Sequence, residues 1–314
     1  MRLIGIELLR GIAAFGIVGC HLLLSPRTGA GALVTCFCDM NVGVFAALSG
    51  YLMAFGRWEG WIEYLQKRAK RILPVYAGWT IVYLIFSAAF QIVDGGAVNA
   101  RYVDVGWWTN VVFWGAAATH LWFLVSLFYA QVAMAGLFQK FPAWIWIVLS
   151  LVVIFTSVGL KNWYGTYPIR LFAFLMLGRG LAALDRDWLQ RHRIEIALAA
   201  GLGIVIHFVR FPCLAGFVKD WIAVGPILLA FVAWLDWFSV GRLAMVSAFL
   251  GATSMGVYLL HPIFTKGVGI VVRRVFDGPY GVVPVMVDWG VSWLCALVVT
   301  VVLLRFPKLA RFVR

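Results

Sequence analysis

Ten apolar runs, most of them close to the ~20 residues needed to cross a bilayer core, divide this chain almost from end to end. They read 3–24, 34–55, 73–92, 118–137, 143–160, 169–184, 194–209, 221–237, 247–272 and 285–304. Composition agrees. Of the 314 residues, 63% are hydrophobic and 12% are charged, against about a quarter charged in a soluble domain. The mean hydropathy is +0.94. Too few polar side chains remain to cover a soluble surface, which excludes a cytosolic globular enzyme, a disordered chain and a small disulfide scaffold. The expected fold is an all-α integral membrane bundle of about ten transmembrane helices, forming one domain over residues 1–314. The first run shows no obvious small-residue cleavage site, so it reads as a retained span.

The 26 Lys and Arg against 13 Asp and Glu give a net charge of +13. Sixteen of the basic residues fall at span ends on the side of the N-terminus and nine on the opposite side, with Arg10 inside a span. Basic loops favour the cytoplasm, so both termini are expected there, as an even number of spans requires. The segment from Arg57 to Arg71 alternates apolar and basic residues and reads as a short amphipathic helix on the membrane surface. The 247–272 span is expected to bend near Pro262. Trp107-Trp108, in the longest outer loop, suits the interface.

Ionisable groups inside a span are expensive, which makes them functional candidates. The first span holds Glu7, Arg10 and His21. Arg10 and His21 are eleven residues apart, about three turns plus 20°, so they share a face roughly 16 Å apart along an ideal helix. Glu7 can pair with Arg10 at i,i+3. His21 suits proton transfer near neutral pH, or is an interfacial histidine with a backbone partner. Lys67, Arg68, Lys70 and Arg71 read either as a topology signal at the headgroups or as a dock for a phosphorylated donor, since guanidinium forks grip phosphate. Ser49 lies in a small-residue stretch suited to close helix packing. His120 and Trp122 stand at the outer end of the fourth span, and Tyr258 and His261 share a face near that of the ninth. Three histidines towards outer ends form a shared site if the fold joins them. The five His are too dispersed for a metal-ligand spacing. Cys36, Cys38 and Cys213 fall on the predicted outer side, and no pairing follows from the sequence.

Five blocks in order resemble the acyltransferase family 3 membrane proteins: IELLRGIAAFGIVGCHLLL from Ile6, GVFAALSGYLMAF from Gly43, KRAKRILPVY from Lys67, HLWFLVSLFYAQV from His120 and GATSMGVYLLHPIF from Gly251. Arg10 and His21 fit the family's basic residue, ten residues, then His. Arg68 and Arg71 fit its Arg-x-x-Arg. One departure is Phe45-Ala46-Ala47, where relatives often carry Phe-Phe.

The resemblance implies an O-acyltransferase, commonly an O-acetyltransferase, of a bacterial inner membrane. The donor would be cytoplasmic acetyl-coenzyme A. The acceptor would be a hydroxyl of a surface or secreted glycan or its lipid-linked precursor. In that reading His21 is the general base and Glu7 holds Arg10. Arg10, Ser49 or Tyr51 meets the oxyanion. Arg68 and Arg71, helped by Lys67 and Lys70, hold the coenzyme A phosphates, and His120, Trp122, Tyr258 and His261 bind the acceptor. His21 and Arg10 are expected to share one chamber open to the basic inner rim. A transporter or flippase of a glycan or small metabolite is the alternative, although no internal inverted repeat is visible.

Overall fold

The computed structural model describes residues 4–22, 30–56, 60–93, 105–115, 120–137, 141–160, 166–209, 216–234, 241–276 and 282–313. Among these residues the chain is all helical, without a strand. The elements are α1 Ile4–Cys20, α2 Ala30–Met53, α3 Trp61–Val93, α4 Val105–Trp114, α5 Trp122–Leu137, α6 Ala143–Thr156, α7 Thr166–Leu181, α8 Arg186–Arg191, α9 Arg193–Phe208, α10 Gly216–Ala233, α11 Gly241–Val275, α12 Val282–Leu304 and α13 Pro307–Ala310. Each of the ten apolar runs overlaps one long helix. Four helical segments, Trp61–Gln91, Gly216–Ala233, Gly241–Val275 and Val282–Leu304, are long and apolar enough to cross a membrane. This is a membrane protein.

Apart from the Glu7–Arg10 pair, α1 is apolar and belongs inside the bundle. Ile6, Leu9, Ala13, Ala14, Ile17 and Val18 are all buried. It lies between α2 and α11. Small residues permit these contacts, as they do wherever helices pack without a hydrophobic drive. Gly251 of α11 faces the Glu7 carboxylate so closely that a Cβ there would collide with it. Gly178 of α7 meets the Ala47 carbonyl, and Gly50 of α2 meets the Leu175 carbonyl. α11 runs in the same direction as α1, with Gly251 beside Glu7 at one end and His261 beside His21 at the other.

One expectation changes. The Arg57–Arg71 segment is not a separate surface helix: from Trp61 it continues unbroken into α3, through Pro74 to Val93. Pro74 has no N–H for the Lys70 carbonyl four residues back. One missing bond costs less than the packing of α3 on α5 returns, and Trp61 also reaches across to the Val132 carbonyl at 3.2 Å. Likewise α11 stays helical through Pro262. The connection after α3 carries α4, held to α3 by the Tyr76 hydroxyl donating to the Val111 carbonyl. Trp107 and Trp108 sit on α4, edge to face at 5.0 Å. Cys38 has a free thiol; Cys213 and the Cys36 side chain lie outside the described residues.

Candidate active site

The Arg10 guanidinium donates to the Glu7 carboxylate at 3.2 Å, with side chains 24% and 18% exposed. This pairing fixes Arg10 against one wall of a cavity of about 290 Å³. Arg68 and Arg71, one turn apart on α3, form another wall. Arg68 also lies over the Tyr64 ring at 4.9 Å. Ser49 lines the cavity while donating to the Phe45 carbonyl at 2.9 Å, and Gln131 lines it from α5. Three guanidiniums meet here, and among the described residues no acidic side chain lines the space. Like charges held together repel, so such a pocket stabilises a polyanion.

A second cluster occupies the opposite end of α1. The His21 ring lies 5.0 Å from that of His261 and 6.3 Å from that of His120, and His120 and His261 are 5.5 Å apart. The fold therefore joins the three histidines that the sequence placed at span ends. His120 and His261 are buried. Tyr83 packs edge-on against His120 at 4.7 Å and donates its hydroxyl to the Leu259 carbonyl at 2.6 Å. The Tyr258 hydroxyl donates to the His120 carbonyl, fastening α11 to the start of α5.

The sequence Tyr258-Leu259-Leu260-His261-Pro262 sets the chemistry of His261. Pro262 has no N–H, so the Tyr258 carbonyl four residues back loses its helical donor. The His261 Nδ1 lies 2.7 Å from that carbonyl and takes the vacant bond. A carbonyl only accepts, so Nδ1 carries the proton. In the neutral ring Nε2 is then a lone-pair acceptor, and it is buried without a hydrogen-bond partner among the described residues. Among the described residues no His, Cys, Asp and Glu group is arranged to hold a metal ion.

The expectation of one chamber shared by His21 and Arg10 is corrected. His21 does not line the basic cavity. Phe45 and Phe123 close the cavity, and both rings contact Tyr258, at 6.3 and 5.5 Å. Tyr258 in turn contacts His120 and His261 at 5.6 and 6.0 Å. A chain of rings, Phe45 and Phe123 with Tyr258, thus runs from the cation pocket to the histidine cluster. The separation follows from the fixed axial offset along α1: Arg10 and His21 share a face but stand three turns apart.

Lys67 and Lys70 are exposed and lie outside the cavity lining. Tyr51, two residues beyond Ser49, turns to another face and packs on Phe55 at 5.3 Å. Trp122 lines a different cavity from the histidines, beside Asp39, His207 and Asp220. The residues missed from the sequence are Phe45, Phe123, Tyr83 and Gln131. Gln131 carried a signal, as a polar side chain in the otherwise apolar α5; aromatic rings in an apolar chain carry none.

A family model described as an acyltransferase domain matches residues 3–304. No curated protein and no solved structure matches the chain.

Proposed function

Given that the chain belongs to acyltransferase family 3, we propose that it is an acyl-coenzyme A-dependent O-acyltransferase, moving an acetyl group to a hydroxyl of a glycan or its lipid-linked precursor. It would act as a ten-span protein of a bacterial inner membrane with both termini cytoplasmic. The observation that carries this reading is the cavity where Arg10, Arg68 and Arg71 converge, with Glu7 paired to Arg10 from behind and, among the described residues, no acidic side chain in the lining itself. Coenzyme A presents several phosphates and a long thin arm. Guanidinium forks bind the phosphates, and the apolar walls from Leu48 to Leu127 accept the arm. The arm then carries the thioester towards the Phe45 and Phe123 rings and the imidazoles beyond them.

In the reaction, an acceptor oxygen attacks the thioester carbonyl while His21 takes its proton. The tetrahedral oxyanion needs a hydrogen-bond donor beside the imidazoles; Arg10, three turns away along α1, serves the donor phosphates instead. The C–S bond breaks, the thiolate receives the proton from the His21 imidazolium, and the acyl oxygen ester leaves. His261, with Nδ1 bound to the Tyr258 carbonyl, keeps its Nε2 lone pair available in the cluster and packs its ring against that of His21. Glu7 keeps Arg10 extended into the cavity.

The test is incubation of purified protein with acetyl-coenzyme A, labelled in the acetyl group, and a panel of saccharide acceptors. Acceptor-dependent thiol release with label in the saccharide is expected. Movement of a solute across proteoliposomes without thioester cleavage would replace this reading with transport.

A further inference from the structure

A second cavity of about 350 Å³ opens among α2, α7, α9, α10 and the first residue of α5. Its polar lining is of a different kind from the cation pocket. Asp39 comes from α2, Arg170 from α7, His207 from α9, and Lys219 and Asp220 from α10. The His207 Nδ1 lies 2.9 Å from the Asp220 carboxylate, so the two side chains hold each other in place. The Arg170 guanidinium lies 4.1 Å over the Phe217 ring. Two carboxylates stand against two cations, giving the lining no formal net charge apart from the imidazole. Trp122, Phe174 and Phe217 add aromatic surface.

The cavity adjoins the histidine cluster along the chain and in space. Trp122 is two residues beyond His120. The Cys20 thiol, immediately before His21, adjoins the Asp39 carboxylate. Cys38 packs on Gly19 of α1. The cation pocket, by contrast, adjoins the histidines by way of Phe45, Phe123 and Tyr258. Donor and acceptor entering from these two cavities would approach the imidazoles from different sides.

We propose that this second cavity is the acceptor site and that it takes an uncharged, polyhydroxylated ligand of saccharide type. The inference rests on the acyltransferase reading above. Carboxylates accept from hydroxyls, and aromatic faces cover the apolar face of a sugar ring. A balanced lining gives a phosphate or carboxylate no advantage, whereas the neighbouring cation pocket does. Asp39 and Asp220 are the hydroxyl acceptors, Trp122 the stacking surface and the wall towards His21.

The test uses full-length protein in lipid nanodiscs, acetyl-coenzyme A, and a panel of methyl glycosides of neutral hexoses, N-acetylhexosamines and uronic acids. Asp39→Asn and Asp220→Asn should raise the saccharide KM about tenfold or more, with acetyl-coenzyme A affinity and acceptor-independent thioester hydrolysis unchanged. Gly216→Trp gives a second route: Gly216 lines the cavity and a Cβ there meets no described atom within 4 Å, so an indole at this position has room to obstruct the cavity. It should abolish transfer to the saccharide and spare hydrolysis. If wild type cleaves no thioester, the acyltransferase reading itself fails. If wild type transfers normally and all three variants keep its saccharide KM, only the site assignment is overturned. Thioester hydrolysis without any acetylated glycoside, or preferred transfer to the uronic acids, overturns the neutral-saccharide class.

Discussion

The imidazole of His21 lies 5.0 Å, ring centre to ring centre, from that of His261. The two rings come from helices 240 residues apart in the chain, and a single proline fixes the tautomer of one of them. Pro262 strips the Tyr258 carbonyl of its helical donor, and His261 Nδ1 replaces it. The acceptor nitrogen left over faces a cluster in which a second imidazole is asked to take a proton. A backbone partner at one ring nitrogen sets the tautomer and leaves the other nitrogen available for acid–base work.

That logic predicts the behaviour of Pro262→Ala. An alanine N–H returns to the Tyr258 carbonyl and competes with His261 Nδ1. One neutral hydrogen bond contributes about 0.5–1.5 kcal/mol, so the transfer rate should fall by up to about tenfold. Acetyl-coenzyme A affinity should not change, and the helix should be as stable as before or more so. Steady-state kinetics beside a binding isotherm separates the two; equal loss in both would mean a general distortion of α11.

The cation pocket makes a graded prediction. Arg68→Ala and Arg71→Ala should each weaken acetyl-coenzyme A binding by about 10- to 100-fold, the range for a charge-assisted hydrogen bond. Lys67→Ala and Lys70→Ala, exposed and outside the lining, should weaken it only slightly, with an effect that vanishes as salt screens the field. Isothermal titration at two ionic strengths checks the order. Equal effects at all four positions would make the cluster a diffuse electrostatic patch rather than a built site.

How much of this was legible beforehand follows from what hydropathy encodes. The apolar runs marked where helices lie, because crossing a bilayer demands length and apolarity that survive in a linear scan. The same scan broke α3 at its basic residues, since charge reads as an end of span although the helix simply continues past Lys67 to Pro74. The Glu7–Arg10 pair was readable because i,i+3 spacing is local. The meeting of His21, His120 and His261 was readable only as a condition, being set by which helices sit side by side. Phe45 and Phe123, which lead from the cation pocket towards the histidines, were invisible: rings among 24 Phe acquire a role only through position. The Asp39–His207–Asp220 cavity was missed although each residue lies in or beside an apolar run, where an ionisable group is a signal in itself.

The chain of rings yields a prediction of its own. Phe123→Leu removes one edge of the Phe45–Phe123 contact, whose centroids are 6.2 Å apart. The passage between cation pocket and imidazoles widens. Acetyl-coenzyme A binding should hold, while hydrolysis by water should rise relative to transfer, because the ring no longer screens the thioester. The ratio of free acetate to acetylated saccharide measures this directly; an unchanged ratio would show that these rings do not lie on the route.

Gly251→Ala tests the support of Arg10. The added methyl meets the Glu7 carboxylate, and overpacking of this kind costs about 1–3 kcal/mol. The thermal midpoint should drop. Glu7 should be pushed from its place against Arg10, so acetyl-coenzyme A affinity should fall with it. Pairing Gly251→Ala with Glu7→Gln should give less than the sum of the single effects, since both act on one contact. Additive losses would separate the α1–α11 packing from the cation pocket.

The most direct measurement is transfer of labelled acetyl from acetyl-coenzyme A by His21→Gln, at matched membrane abundance and with donor affinity measured in the same preparation. The account predicts unaltered donor affinity and a transfer rate reduced by about 10²- to 10⁴-fold, the usual contribution of a general base. Transfer within about twofold of wild type, a change too small for the loss of a general base, would contradict it.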